Sequence, residues 1–277
     1  MGFRINTNTA SIASQRALSM NNRALEDSLA KLSSGSRITK AADDAAGLAI
    51  SEKLRSYIRS TAQADRNAND GISMVQVAEG GLNEVQNILT RLRELAIQAS
   101  SDTVGDTERQ FTDMEYQQLK LEVERIAQVT EFNGTKLLDG SGDVYDFQIG
   151  INNDDFQDRI KFDAAQTNAR VSALGIDDQS IASKEGAQGS LDVVDQAIEQ
   201  VSRYRANLGA VQNRLISTSQ NLQISNENLQ SANSRIRDVD YASETANNAR
   251  NGILNSAGTA VLAQANMNGQ NALKLIG

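Results

Sequence analysis

Apolar residues recur at helical spacing along most of the chain. Near the amino terminus Leu18, Leu25 and Leu32 repeat every seven residues, and Leu29 supplies the intermediate step of four and three. This spacing places apolar side chains on one face of a helix. Gly35 follows three residues after Leu32. Glycine is common at the left-handed position that ends many helices. The pattern therefore predicts an amphipathic first helix that ends near Gly35.

Two further helices are predicted in the first half of the chain. The second begins near Asp43 and Asp44, whose carboxylates favour a first helical turn, and runs to about Ser100. Its apolar positions alternate steps of three and four: Val75, Ala78, Leu82, Val85, Leu89, Leu92 and Ala96. A third helix is predicted over about 106–129.

The apolar period changes from helical to two in the middle of the chain. Tyr145, Phe147 and Ile149 alternate with polar residues, and Ile160 and Phe162 do the same a few residues later. Period two with an Asn- and Asp-rich segment between the runs predicts a β-hairpin. We place this hairpin region at about 131–163.

The carboxy-terminal half returns to a heptad pattern. One heptad position stays apolar over six repeats, at Val194, Val201, Leu208, Leu215, Leu222, Leu229 and Ile236. A helix over 194–236 would be about 65 Å long. Its companion position turns polar from Arg205 onward, so only one narrow line of the helix can pack. A last amphipathic helix is predicted after Asp238, with Ile253, Leu254, Val261 and Leu262 among its apolar residues.

Helices at both chain ends carry apolar stripes that need partners. Each can cover the other and then other copies of the chain. Open head-to-tail contacts between identical subunits produce filaments.

Composition narrows the possible chemistry. The chain has 277 residues and contains no His, Cys, Trp or Pro. The missing His and Cys exclude Ser-His and Cys-His nucleophile pairs, thiolate metal sites and disulfides. Average proline usage is about 5%, and its absence suits very long helices.

The formal charge of −8 is unevenly spread, with six basic and two acidic residues in 1–40. Solvated helix faces explain this better than nucleic-acid binding, because no aromatic residue is interleaved with the basic ones after Phe3. No apolar run approaches the 18–20 residues or so of a membrane span. The first residues lack the apolar core of a cleaved signal peptide.

No motif supports catalysis or metal binding. Residues 65–76 approach a calcium loop, but Gly71 is one place late and Gln76 stands where a bidentate Glu is required. The run 152–155 is typical of a hairpin turn. We therefore predict no catalytic residues, no cofactor and no metal site.

Four short motifs resemble those of bacterial flagellins, the subunits of the flagellar filament. Residues 32–38 (LSSGSRI) and 42–50 (ADDAAGLAI) are similar to the amino-terminal family motif. Residues 237–242 (RDVDYA) and 262–266 (LAQAN) are similar to its carboxy-terminal counterpart. One departure is Met267, where the family usually has Pro.

The resemblance implies a mainly α fold, an elongated bundle of long coiled-coil-like helices with a small β-hairpin region. Residues 1–42 with 238–277 would form a terminal inner-core domain, and 43–237 an outer-core helical domain. The short segment between Phe162 and Leu191 implies a form without the variable outer domains. The residues expected to pack the inner core are Leu18, Leu25, Leu29, Leu32, Ile253, Leu254, Val261 and Leu262. Those expected in the outer-core seam are Val75, Leu82, Val85, Leu89, Leu92, Val201, Leu208, Leu215, Leu222 and Leu229.

The resemblance also implies partners and a location. The subunit would polymerise with identical copies into an extracellular filament for swimming motility, after export without a cleaved signal peptide. An export chaperone would bind the carboxy-terminal helix, and filament cap and hook-junction proteins would contact the polymer. The segment 90–98 resembles the one through which many flagellins engage Toll-like receptor 5, and Arg91, Leu95 and Glu115 fall on the family's contact positions. The family uses the same face along a protofilament.

Two other hypotheses stay open from the sequence. A hook–filament junction protein shares the terminal heptads, although the motifs at 42–50 and 262–266 favour a flagellin. A carboxylate-dependent enzyme on a helical bundle would need a concave pocket with perturbed acids, which no sequence feature indicates.

Overall fold

The computed structural model describes residues 7–274, and the side chains of residues 7–267. Five helices and four short strands lie within that part of the chain. In chain order they are α1 (Thr9–Ser34), α2 (Ala45–Ala99), α3 (Asp106–Val129), β1 (Glu131–Phe132), β2 (Thr135–Lys136), β3 (Val144–Gln148), β4 (Arg159–Asp163), α4 (Lys184–Arg237) and α5 (Tyr241–Lys274). The predicted mainly α fold with a hairpin region is confirmed.

The chain divides into two compact units. One consists of residues 1–56 with 228–277, and the other of 57–227. Both boundaries lie inside the long helices α2 and α4, whereas the sequence placed them in the loops at their ends. Residues 1–6 and 275–277 of the expected terminal domain lie outside the described residues.

In the unit 57–227, the apolar stripes of α2 and α4 form the core together with α3. Val75, Leu82, Val85, Leu89 and Leu92 are completely buried. From α4, Val201, Leu208 and Leu215 are equally buried. These eight residues are therefore core residues of this unit.

The seam does not continue to Leu222 and Leu229, which are only half-buried. Its last buried residue is Ser219, whose hydroxyl donates to Asp65 Oδ1 at 2.6 Å. α3 has 24 residues against 54 in α4, so it can cover only part of that helix. Leu222 instead lines an open groove together with Ile149 and Gln157 of the hairpin region.

Two antiparallel hairpins follow α3. In the first, Phe132 pairs with Thr135 around Asn133 and Gly134, both of which have positive φ (49° and 79°). This two-residue turn matches the strand twist, and Asn-Gly is its preferred sequence.

The second hairpin is the one predicted from period two, and β3 pairs with β4 from Val144↔Asp163 to Gln148↔Arg159. Its Phe147 lies against α2 at Gly71, where an added Cβ would come within 3.0 Å of the ring. The absent side chain at Gly71 thus gives the hairpin room to pack on the helix.

Polar side chains of α3 hold the loop that joins β4 to α4. Lys120 Nζ donates to the carbonyls of Asp177 and Gln179, at 2.5 and 2.9 Å. Asp113 Oδ1 accepts from the Ile181 amide at 2.7 Å, and Glu124 accepts from the Val171 amide at 3.0 Å. The loop is therefore an ordered part of this unit.

Tyr116 makes the stability of this unit sensitive to alkali. Burial raises the pKa of its phenol to about 12 from the ordinary value of 10.0. Below pH 10 the phenol is neutral in folded and unfolded chains, so it contributes no pH dependence. Between pH 10 and about 12 only the unfolded chain ionises, so the free energy of unfolding falls with rising pH, by on the order of 2 kcal/mol in total.

We expect Tyr116→Phe to remove this contribution. We measure thermal unfolding by circular dichroism from pH 8 to 11.5. Above pH 10, the unfolding midpoint of the wild type should fall more steeply than that of the variant. Parallel curves for the two proteins over that range would contradict the assignment.

Candidate assembly surfaces

The two linkers that join the terminal helices to the long helices meet in a short β-bridge. Ser36, between α1 and α2, is bridged in antiparallel fashion to Asp238, between α4 and α5. The Arg37 amide donates to the Arg237 carbonyl at 2.6 Å, and the Val239 amide donates to the Gly35 carbonyl at 3.0 Å. We call this bridge, residues 35–37 with 237–239, the clasp.

Two side chains add hydrogen bonds to the clasp, one to the end of α4 and one to the end of α1. Arg37 donates from Nε and Nη2 to the Ile236 carbonyl, at 3.1 and 2.8 Å. Tyr241 Oη donates to the Leu32 carbonyl at 3.1 Å. Each bond satisfies a carbonyl in the last turn of a helix, where no intrahelical donor is available. Arg37 also places its positive charge at the negative end of α4.

Two of the motifs singled out in the sequence, 32–38 and 237–242, thus meet at one place. Gly35 has a φ of 68°, and it turns the chain from α1 into the clasp. In the neighbouring motif, Asp43 Oδ2 accepts from the backbone amides of Thr39 and Lys40, both at 3.0 Å. These backbone hydrogen bonds lower the pKa of Asp43. The two motifs are therefore in contact in the fold, although Arg37 and Ile236 are 199 positions apart in the chain.

Beyond the clasp, α1 and α5 run antiparallel and contact each other along their length. Ser28 Oγ donates to Glu244 Oε1 at 2.5 Å, and Asn255 Nδ2 donates to Asn22 Oδ1 at 2.6 Å. Farther on, Asn8 Nδ2 donates to the Ala265 carbonyl at 2.9 Å.

The pair leaves much of its apolar surface uncovered. Among the predicted inner-core residues, Leu18, Leu25, Leu32 and Leu262 are half-buried. The remaining four are exposed: Leu29 by 50%, Ile253 by 70%, Leu254 by 44% and Val261 by 57%. Within one chain these four residues are therefore surface residues, and their predicted packing needs other copies.

A second surface lies on the unit 57–227, where Arg91 and Glu115 come together. Arg91 Nη2 lies 2.9 Å from Glu115 Oε1, and Arg91 Nη1 lies 3.0 Å from Glu94 Oε2. The hydrogen bonds that Arg91 donates to Glu94 and Glu115 raise the pKa of its guanidinium. Leu95 is different, because it is 1% exposed and belongs to the core. Arg91 and Glu115 are accessible for a contact in this conformation, and Leu95 is not.

The structure adds an apolar surface on α3 that the sequence did not identify. Phe111, Met114 and Leu121 are 61%, 59% and 63% exposed. The opposite face of α3 buries Tyr116, Val123 and Ala127. Apolar residues on both faces of one helix are a signal in the sequence that a second contact surface exists.

The described residues offer no arrangement for metal chemistry. Within 7–274 no three Asp or Glu side chains are grouped as metal ligands. The turn at 152–155 is held by the buried Asp158. Its carboxylate accepts hydrogen bonds from the amides of Asn152 and Asp154, at 3.3 and 3.0 Å. Among the same residues, no helix is long and apolar enough to cross a membrane.

Comparison with known proteins agrees with this architecture. Residues 5–143 match the family described as the bacterial flagellin N-terminal helical region, and 191–276 match the C-terminal helical region. A flagellin of Halalkalibacterium halodurans is 44% identical over 98% of this chain and 99% of its own length. A flagellin of Bacillus subtilis is 44% identical over 99% of this chain and its own full length. A flagellar filament core protein of Treponema maltophilum is 40% identical over 98% of this chain.

Two solved structures of flagellar proteins share the fold of this chain. The Bacillus cereus flagellin crystal structure aligns with a TM-score of 0.51 at 30% identity, over 57% of this chain and 88% of its own. A putative flagellar hook-associated protein from Vibrio parahaemolyticus aligns with a TM-score of 0.57 over 71% of this chain. At 14% identity, the second alignment shows a shared fold only.

Proposed function

The chain belongs to the bacterial flagellin family, a family of structural filament proteins rather than enzymes, and from this premise we propose that it polymerises head-to-tail and laterally through its terminal helices. The family forms the extracellular filament of the flagellum. Relatives align with this chain over nearly their whole length. This chain is therefore a short form without a variable outer domain.

The observation that carries the proposal is the uncovered apolar surface of α1 and α5. On α1, Ile12 and Met20 are 49% and 64% exposed, in addition to Leu29. On α5, Ile253 and Val261 are more than half exposed. Apolar residues clustered on a helix pair mark an interaction site. Identical copies provide matching surfaces, and contacts that do not close a ring extend into a filament.

Electron microscopy of the purified protein after salting-out tests the proposal. We expect filaments that grow to micrometres. A protein that stays monodisperse at high concentration would contradict it. Polymers that stop as short rings would instead favour a hook–filament junction protein, the second candidate. Curated relatives favour the filament, because flagellins and a filament core protein match this chain over nearly their full length.

The same exposed surface supports the proposed partners before assembly. We propose that an export chaperone covers α5, because Ile253, Leu254 and Val261 would otherwise meet solvent in the free subunit. Export through the flagellar secretion apparatus and contacts with cap and hook-junction proteins are part of the same proposal.

We further propose that the free subunit is recognised by Toll-like receptor 5 through the surface of Arg91 and Glu115. Both side chains are about half exposed and lie on adjacent helices. An accessible Arg is a favoured anchor in protein interfaces. In the polymer, the same surface packs along a protofilament, so receptor binding and polymerisation exclude each other.

Receptor activation by Arg91→Ala tests this assignment. We expect the concentration for half-maximal activation to rise about tenfold, with an unchanged unfolding midpoint, because exposed ion pairs contribute little stability. Arg93→Ala is the matched control, since Arg93 is similarly exposed but pairs with Asp195 on α4. Equal activation by intact filaments and by depolymerised subunits would contradict recognition of the monomer.

A further inference from the structure

The apolar pattern of the terminal helices does not by itself define how they align. Leu18, Leu25 and Leu32 repeat every seven residues, so a slip of one heptad brings the next leucine into the place of the last. Such a slip moves α1 by about 10 Å along α5. The only buried side chains of α1 among the described residues are Ser11 and Ser28. Core packing therefore offers little to distinguish one alignment from the next.

The structure nevertheless holds one register throughout. From the clasp outward, the pairs Ser28 with Glu244, Asn22 with Asn255 and Asn8 with Ala265 follow each other in step. As the contacts move toward the amino terminus on α1, they move toward the carboxyl terminus on α5. These polar contacts are satisfied together only when the two helices start from the same point.

That point is the clasp, because it ties both helix ends directly. Gly35 is the residue after α1, and its carbonyl accepts from Val239, two residues before α5. Neither helix can slide along the other while this bond holds. Arg37 is the side chain that ties the linker after α1 to the end of α4, with two donors on the Ile236 carbonyl. Lysine cannot reproduce this fork, because its ammonium group is a point charge on a flexible stem.

We propose that Arg37 is the positioning residue that sets the axial register of α1 against α5 and so makes the terminal pair competent for assembly. This inference rests on the proposed polymerisation. In a slipped pair, the exposed apolar residues of α1 lie about 10 Å farther along α5 than they do in this structure. A neighbouring copy then has no matching surface on which to dock.

The first experiment measures the subunit concentration at which the full chain polymerises, by sedimentation after salting-out. We expect Arg37→Ala and Arg37→Lys to raise this concentration at least tenfold. Arg235→Ala is the matched control, since Arg235 is an exposed arginine on the last turn of α4 and lies outside the clasp. It should polymerise as the wild type does. Thermal unfolding of the unit 57–227 should be the same in all four proteins.

A reversible covalent bond separates register from any other role of Arg37. Ser36 and Asp238 are a non-hydrogen-bonded antiparallel pair, since the flanking residues make the bridging bonds. Such pairs have Cα atoms about 4.5 Å apart, within the range of a disulfide. The chain has no cysteine, so Ser36→Cys with Asp238→Cys forms one defined bridge. In the Arg37→Ala background, we expect oxidation to bring the polymerisation concentration to within about threefold of wild type, and reduction to raise it at least tenfold again.

The outcomes are decisive. Normal polymerisation of Arg37→Ala would overturn the proposal. A defect that the closed disulfide does not repair would also overturn it, because Arg37 would then act through a contact outside the clasp. The double cysteine variant with Arg37 intact should polymerise in both redox states, and failure of its oxidised form would overturn the proposal, because the bridge holds the register seen here. Failure of the wild type to polymerise would instead refute the proposed function itself.

Discussion

A chain without residues 1–30 is expected to stay monomeric where the full chain polymerises, and to keep the unit 57–227 folded. The deletion removes most of α1 (Thr9–Ser34), so α5 loses the helix that it contacts. The remaining exposed residues, such as Ile253 and Val261, then lack the paired surface that a second copy would recognise. The unit 57–227 keeps its own core, because none of its buried residues lies in the deleted segment.

Analytical ultracentrifugation and circular dichroism measure the two parts of this prediction. Sedimentation should give a single monomeric species at every concentration at which the intact chain forms polymer. The far-ultraviolet spectrum should lose helix, while the cooperative thermal transition of the unit 57–227 persists. Long filaments from the truncated chain would show that α1 is dispensable, and loss of the transition would show that the unit is not independent.

The second large effect is expected for Leu208→Asp, which should unfold the unit 57–227. Leu208 is completely buried in the seam between α2 and α4. The substitution removes a core side chain, which costs about 2–5 kcal/mol, and buries a carboxylate without a partner. The sum approaches the whole stability of a typical domain, about 5–15 kcal/mol. Circular dichroism should show loss of most helical signal from this unit.

Ile224→Asp is the matched control on the same helix. Ile224 is 61% exposed, so its substitution should change the free energy of unfolding by no more than about 0.5 kcal/mol. Leu222→Asp should fall between the two, because Leu222 is half-buried. Equal unfolding midpoints in guanidinium chloride for the three variants would contradict the decrease in burial from Leu208 through Leu222 to Ile224.

This ranking corrects what the heptad pattern alone predicts. In the sequence, Leu208, Leu215, Leu222 and Leu229 are equivalent positions of one repeat. In the fold, the first two are completely buried and the last two are only half-buried. Sequence periodicity reports which face of a helix is apolar, and it does not report how many neighbours cover that face.

Helix and hairpin positions were largely predictable because their signals are local. The end of α1 at Gly35, the span of α3 and the pairing of β3 with β4 follow from residues close together in the chain. The role of Gly71 was not predictable. It was read as part of a failed calcium loop, and only the approach of Phe147 explains the missing side chain.

The candidate contact residues divide in the same way. Arg91 and Glu115 were identified through resemblance, and the structure brings them into an ion pair at 2.9 Å. Leu95 was expected on the same contact surface, but it points into the core with 1% exposure. The clasp between Arg37 and Ile236 could not be found from spacing at all, since both partners are unremarkable residues at distant positions.

The sequence by itself determined the helical architecture, the hairpin and the absence of any His- or Cys-based chemistry, because these depend on local periodicity and on composition. Only the tertiary structure decided which apolar residues are enclosed, which remain on the surface and where the two ends of the chain are tied together. The physical reason is that burial and long-range hydrogen bonds depend on which elements are neighbours in space, and that information is not carried by any local pattern.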